Sequence, residues 1–227
     1  MTRFLSPVLL VLAFPSPFLG EPFTIWSLDD ALTVLNDSPW ARQTTFTEVV
    51  AGVGSGVRGE KEIFNTFYTR ILSSLPVRQA FVRVEQHNHD YDSLSASEQG
   101  RFDDLAAPGL ELDFEDWIVL AVSFRSNDPD REREVDHYLE VGTTDSLKKL
   151  AFLSTSRLSQ VRLKGYFPPQ GDGVGAKFVF PRVVDGRPIV AGDTETLVFE
   201  LEIPNAEPIL SVTFVVRELK CGGELML

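Results

Sequence analysis

The sequence predicts a mainly β protein, an antiparallel β-sandwich with several short helices in its N-terminal half. Three observations carry that expectation. Residues 116–124, DWIVLAVSF, form an apolar run suited to a strand buried on both faces. Six short β-rich segments follow, residues 148–154, 159–166, 176–184, 187–190, 196–203 and 209–217, most of them bounded by Pro, Gly or Asp-Gly. Many short strands between turn signals are the pattern of a sandwich or barrel. The first half instead carries two capping boxes, Ser27 with Asp30 and Ser95 with Glu98, in which side chains satisfy the free N–H groups of a helix start.

From the N-terminus, residues 1–20 read as an export signal. Arg3 is the only charge, residues 4–14 are apolar, and Pro15 and Pro17 break the segment. The run is too short for a bilayer, which takes about 20 residues, and no later stretch qualifies as a span. The competing reading is a buried N-terminal strand or helix. Residues 21–227 are expected to form a single domain. After Ser27, the spacing of Leu28, Ala31, Leu32 and Leu35 predicts a helix. Ser38 as N-cap and Pro39 at the first helical position predict a second one directly after it. Residues 43–50, QTTFTEVV, are β-branched and extended in character. Residues 60–73 fit either period, since Ile63, Phe67 and Ile71 suit a helix face, but their Thr, Phe, Tyr and Ile content favours a strand. Ser74 with Pro76 opens a helix that ends near His87, and the helix after Ser95 is expected to close at Pro108 and Gly109. Asp185-Gly186, in VVDGRP between two expected strands, is a two-residue hairpin signal.

Composition removes several functions. The formal charge is −12, and loss of residues 1–20 would leave 20 basic against 33 acidic residues, or −13. A phosphate backbone needs a positive footprint, so nucleic acid is not an expected partner. Anionic lipid is disfavoured for the same reason. Cys221 is the only cysteine, which excludes an intrachain disulfide and a Cys-based zinc cluster.

Gly54-Ser55-Gly56-Val57-Arg58-Gly59 spells the glycine pattern of dinucleotide-binding loops. Such a loop needs a helix after it and an acidic residue about 20 positions on to hold the ribose. Here a strand is expected to follow, and the later region reads Arg78-Gln79-Ala80-Phe81. No βαβ alternation follows either. The glycines are therefore expected to connect neighbouring strands, and no nucleotide or other cofactor is expected. Ser55 lacks glycines two residues away on each side, so it is no nucleophile elbow.

Two sets of residues remain as site candidates. His87, His89 and Asp90, with Asp92 beside them, supply nitrogen and oxygen donors suited to zinc or iron. The plainer reading is a solvated turn, with His87 favoured by the helix dipole. Residues 171–188, GDGVGAKFVFPRVVDGRP, place Phe178 and Phe180 on one strand face and Lys177 and Val179 on the other. Pro181 cannot donate to a ladder, so this strand is expected at an edge or bulge. Lys177, Phe178 and Arg182 there are candidates for accepting an extended partner, against the plainer reading of a core strand with a protected edge. The carboxylate pairs Asp103-Asp104, Glu115-Asp116 and Glu200 with Glu202 lack any sequence sign of facing one another.

The segments NDSPWARQ, the glycine-rich stretch, SSLPVRQAF and GAKFVFPR together resemble an uncharacterised family of exported bacterial proteins. The resemblance implies a strand over residues 62–73. That family has no assigned activity, so it carries over no catalytic or binding residue. The resulting expectation is a non-catalytic binding or assembly module of the bacterial periplasm or cell envelope, periplasmic or extracellular, whose partner is a protein or envelope component. The alternative is an exported hydrolase, metal-assisted or using paired carboxylates.

Overall fold

A computed structural model of the chain describes residues 20–51, 60–203, 206–221 and 223–227. Most of the export segment and the glycine pattern at Gly54–Gly59 lie outside the described residues. The elements in chain order are α1 (Leu28–Asn36), β1 (Ala41–Ala51), β2 (Glu60–Ile71), α2 (Leu75–Asn88), α3 (Ala96–Glu111), β3 (Trp117–Ser126), α4 (Pro129–Val141) and α5 (Thr144–Leu147). They continue with β4 (Ala151–Thr155), β5 (Val161–Arg162), β6 (Gly165–Phe167), β7 (Ala176–Pro181), β8 (Val183–Val184) and β9 (Arg187–Pro188). The last are β10 (Thr196–Ile203), β11 (Ala206–Val215), β12 (Lys220–Cys221) and β13 (Glu224–Leu225).

The protein is mainly β, its sheets are antiparallel, and they do not close into a barrel. Five strands form one sheet in the order β1-β2-β3-β7-β6, and four form a second in the order β11-β10-β4-β5. Alternation decides which side chains meet. In β7, Ala176, Phe178 and Phe180 are buried while Lys177 and Val179 turn to the other face. In β10, Leu197, Phe199, Leu201 and Ile203 are buried. The two inner faces meet at aromatic edges, with Phe178 and Phe180 at 5.5 Å and 6.1 Å from Phe199 between ring centroids. Such pairs add about 0.5–1.5 kcal/mol beyond the area they bury.

Helices α1 and α2 pack together against the outer face of the larger sheet, where Arg70 crosses to Leu35. The capping box at Ser27 forms: Ser27 Oγ accepts from Asp30 N–H at 3.1 Å, and Asp30 accepts from Ser27 N–H at 2.9 Å. Ser95 and Glu98 form the second box. Residues 60–71 are a strand, as their composition favours. Asp185-Gly186 joins β8 to β9 with both residues at positive φ, 49° and 73°, the backbone a two-residue hairpin demands. Among the described residues, no helix is long and apolar enough to cross a membrane.

Two element expectations need correction. Ser38-Pro39 starts no helix. Ser38 is buried, its hydroxyl donates to the Val34 carbonyl at 2.7 Å, and the chain turns straight into β1. A hydroxyl drawn back to the preceding helix ends that helix instead of capping another. Pro108 does not close α3, which runs on to Glu111 with the proline inside it.

Candidate functional site

Sheet edges are where a β protein must protect unpaired main-chain groups, and among the described residues three of the four edges of the two larger sheets are protected. β5 is two residues long and β6 is three. β11 carries Pro208 in its sequence, and its pairing with β10 is interrupted by a register shift between Leu201 and Ile203. β1 is the exception. It has 11 residues, no Pro, Gly or Lys, and an unbroken register with β2 from Ala41↔Arg70 to Ala51↔Glu60.

Hydrogen-bond parity fixes which groups face outward. Ile71 donates its N–H to the Trp40 carbonyl at 2.8 Å. Bonded and non-bonded pairs alternate along an antiparallel ladder. Arg42, Thr44, Phe46, Glu48 and Val50 therefore exchange bonds with β2, and Gln43, Thr45, Thr47 and Val49 turn their N–H and C=O groups away from it. Two contacts agree independently. Phe64, opposite Thr47, takes its N–H to Asn127 Oδ1 at 2.8 Å and its C=O to Asn127 N–H at 3.4 Å, both away from β1. Thr45 and Thr66, opposite one another, bring their hydroxyls to 2.9 Å, as the closer side-chain spacing of a non-bonded pair allows.

The start of this strand is covered. Ala41 N–H donates to the Ser38 carbonyl at 3.1 Å, and Arg42 Nη1 donates to the Ala41 carbonyl at 2.9 Å. The Arg42 guanidinium lies 5.7 Å from the Phe214 ring centroid and 4.0 Å from Glu218. From Gln43 onward the edge is open: Gln43, Thr45, Thr47 and Val49 are exposed, and no described residue bonds their outward main-chain groups. Val49, Val50 and Phe64 are 55%, 39% and 42% exposed, an apolar concentration at the far end of the same two-stranded ribbon. Glu48, the only acid between Gln43 and Val50, is 3.8 Å from Arg131.

The residues expected as site candidates fall elsewhere. β7 is not an edge, because β6 pairs with it on the side away from β3. The proline that suggested an edge is its last residue, opposite Trp117. Phe178 is fully buried between the sheets, out of reach of any partner strand. Lys177 Nζ is held by Asp172 at 2.8 Å. Arg182 donates through Nε to the Phe114 carbonyl at 2.6 Å and through Nη2 to the Leu227 carbonyl.

The His87, His89 and Asp90 set is not drawn together. His87, in the last turn of α2, has Nε2 3.1 Å from the Trp26 carbonyl. His89 has Nδ1 2.9 Å from the Glu85 carbonyl and its ring against Phe102. Asp90 bends the chain at φ 49°. Among the described residues, no group of three or more His, Cys, Asp or Glu is arranged to hold a metal ion.

Two further features have defined chemistry. An open cleft of about 600 Å³ is lined by Arg78, Arg182, Ser73, Asp113, Phe114 and Leu227, among others. Arg78 Nη1 donates to the carbonyls of Gly109, Leu110 and Leu112 at 3.1, 2.8 and 3.1 Å, and its guanidinium stacks 4.9 Å from the Phe114 centroid. Burial lowers the affinity of both arginines for their protons. Each is occupied in pinning the segment between α3 and β3, so the cleft reads as a clamp. Arg70 is the second feature. It is 7% exposed and donates to the Leu35 carbonyl (2.7 Å), Asn36 Oδ1 (3.1 Å) and Ser123 Oγ (3.2 Å), with Tyr68 and Phe81 rings alongside. Burial pulls its pKa down to about 10 against a smaller opposing effect of Tyr68. It ties the C-terminal end of α1 to the sheet.

Nothing in the sequence marks β1 as an edge, because strand order is set by long-range pairing. The available signal was its composition: seven residues of QTTFTEVV are neutral and none is a gatekeeper Pro, Gly or Lys. Comparison with protein-family models, with curated proteins and with solved structures finds no match.

Proposed function

We propose that this protein is an exported, non-catalytic binding or assembly module of the bacterial periplasm or cell envelope, and that it takes up an extended segment along the β1 edge. The observation that carries the reading is the contrast among its edges. Three are short, interrupted or proline-bearing, and β1 alone is long, regular and open. An unprotected edge of this kind invites aggregation unless something pairs with it. Addition of a strand to such an edge gives affinity through main-chain hydrogen bonds and specificity through alternate side chains. Export is supported by Arg3 followed by the apolar residues 4–14, and by the resemblance to exported bacterial proteins.

The test compares tagged wild type with Thr45→Pro, each isolated from the native host under gentle crosslinking. Thr45 N–H faces outward, so proline there removes a donor that β2 does not use. A defined partner held by wild type and lost from Thr45→Pro is the expected outcome. The same partners on both chains would overturn the assignment of the edge, and a chain retained in the cytoplasm would overturn export.

A further inference from the structure

We infer that the occupant of the β1 edge is a second copy of the same strand, joined antiparallel about a two-fold axis at Phe46. This rests on the proposed role of the β1 edge and names its partner. The free residues Gln43, Thr45, Thr47 and Val49 are spaced symmetrically about Phe46. An antiparallel copy centred there sets Gln43 opposite Val49 of the other chain and Thr45 opposite Thr47. Four residues, each with one donor and one acceptor, are then satisfied on both chains. That makes eight main-chain bonds, close to the roughly ten of an ordinary interface.

Neighbouring registers are worse. Centring on Thr45 brings Ala41 into the ladder, whose N–H and C=O are already bonded to Ser38 and Arg42. Centring on Thr47 carries Gln43 to Ala51, the last residue of β1, and sets each Phe46 ring opposite a Glu48 carboxylate, and centring on Glu48 sets two carboxylates face to face. The register about Phe46 opposes no like charges. It pairs threonine hydroxyls across the axis and places the two Phe46 rings side by side at a non-bonded position, where side chains approach most closely.

The apolar end of the ribbon supplies the argument for a copy over an unrelated segment. In this register Val50 of one chain lies opposite Arg42 of the other, the residue that sits over the Phe214 ring. The exposed Val50 thereby reaches the covered end of the partner's strand, and the isologous contact does so twice. The chains each carry −12, so mutual repulsion opposes assembly and added salt favours it.

The experiment is sedimentation equilibrium of the purified chain over a range of concentration and salt. Wild type is expected to form dimers, more at higher salt, and Thr45→Pro to remain monomeric with an unchanged far-UV spectrum. Register is read separately. In a Cys221→Ser background, a mixture of Thr44→Cys and Glu48→Cys chains is expected to crosslink on mild oxidation, and neither chain alone. Those two positions are opposite each other only in the register about Phe46. A monomeric wild type, a dimer untouched by Thr45→Pro, or crosslinking within one variant alone would each overturn the inference. If wild type is monomeric yet loses a native-host partner on Thr45→Pro, self-pairing fails and the binding-module reading stands. If Thr45→Pro changes neither, both fail.

Discussion

Gly171, Gly173 and Gly175 separate backbone strain from steric contact within one loop. All three have positive φ, at 74°, 71° and 95°. A Cβ at Gly171 or Gly173 meets nothing within 4 Å. At Gly175 it meets the Val122 carbonyl oxygen at 2.3 Å and its carbon at 2.8 Å. Those are main-chain atoms of β3, the central strand of the larger sheet, and Val122 is directly opposite Ala176 in the ladder. They cannot swing aside as a side chain would. Alanine at any of the three carries left-handed strain of about 1–2 kcal/mol. At Gly175 overpacking adds about 1–3 kcal/mol. Gly171→Ala and Gly173→Ala are therefore expected to lose about 1 kcal/mol, and Gly175→Ala about 3–4 kcal/mol. In a chain of this size 1 kcal/mol moves Tm by about 2–4 °C, so Gly175→Ala is expected to melt roughly 10 °C lower. Urea denaturation followed by tryptophan fluorescence gives the free energies. Equal losses at all three positions would refute the contact argument and leave only the shared φ.

Other outcomes follow from single contacts. Asp172 is partly buried, which pushes its carboxyl up, but the Lys177 ammonium and the Val174 N–H outweigh this and hold it below the usual carboxylate range. A depressed folded pKa contributes stability above about pH 4 that is lost as pH falls; Asp172→Asn should lower stability at pH 7 and flatten its decline toward pH 2, and a decline as steep as wild type would sink the assignment. Arg70→Met leaves the buried Leu35 carbonyl without its donor and is expected to cost about 2–3 kcal/mol in urea titrations. A smaller loss than 1 kcal/mol, on the order of a surface substitution, would mean that water replaces the guanidinium. Added zinc should leave Tm unchanged, because His87 and His89 face different carbonyls. A rise in Tm that His87→Ala abolishes would restore the metal reading.

Local chemistry was legible in the sequence and long-range order was not. The capping boxes at Ser27 and Ser95 and the turn at Asp185-Gly186 depend on neighbours within three positions, and they form. The alternation of Lys177, Phe178, Val179 and Phe180 likewise depends only on the pleat. Ser38-Pro39 misled because a tertiary choice, burial of Trp40 and entry into β1, overrode a good local cap. Pro181 suggested an edge, but a strand's last residue needs no further ladder bond on that side, so the proline says nothing about its neighbour. The open edge was hidden for the same reason. Whether β1 or β7 lies outermost depends on β3 meeting β7, and no residue in either strand encodes that order alone.

That meeting also sets the tempo of folding. β3 joins β7 through partners more than fifty positions apart, such as Val122 and Ala176, whereas β1 with β2 and β10 with β11 are joined between consecutive strands. Hairpins close in about 1–10 μs, but β topologies dominated by distant pairing take milliseconds to seconds. During that interval β3 is as naked on the side that will meet β7 as β1 is on its outer side. A refolding chain therefore passes through a stage with twice the sticky perimeter of the finished molecule, and recovery of active-shaped protein should fall as the refolding mixture is made more concentrated.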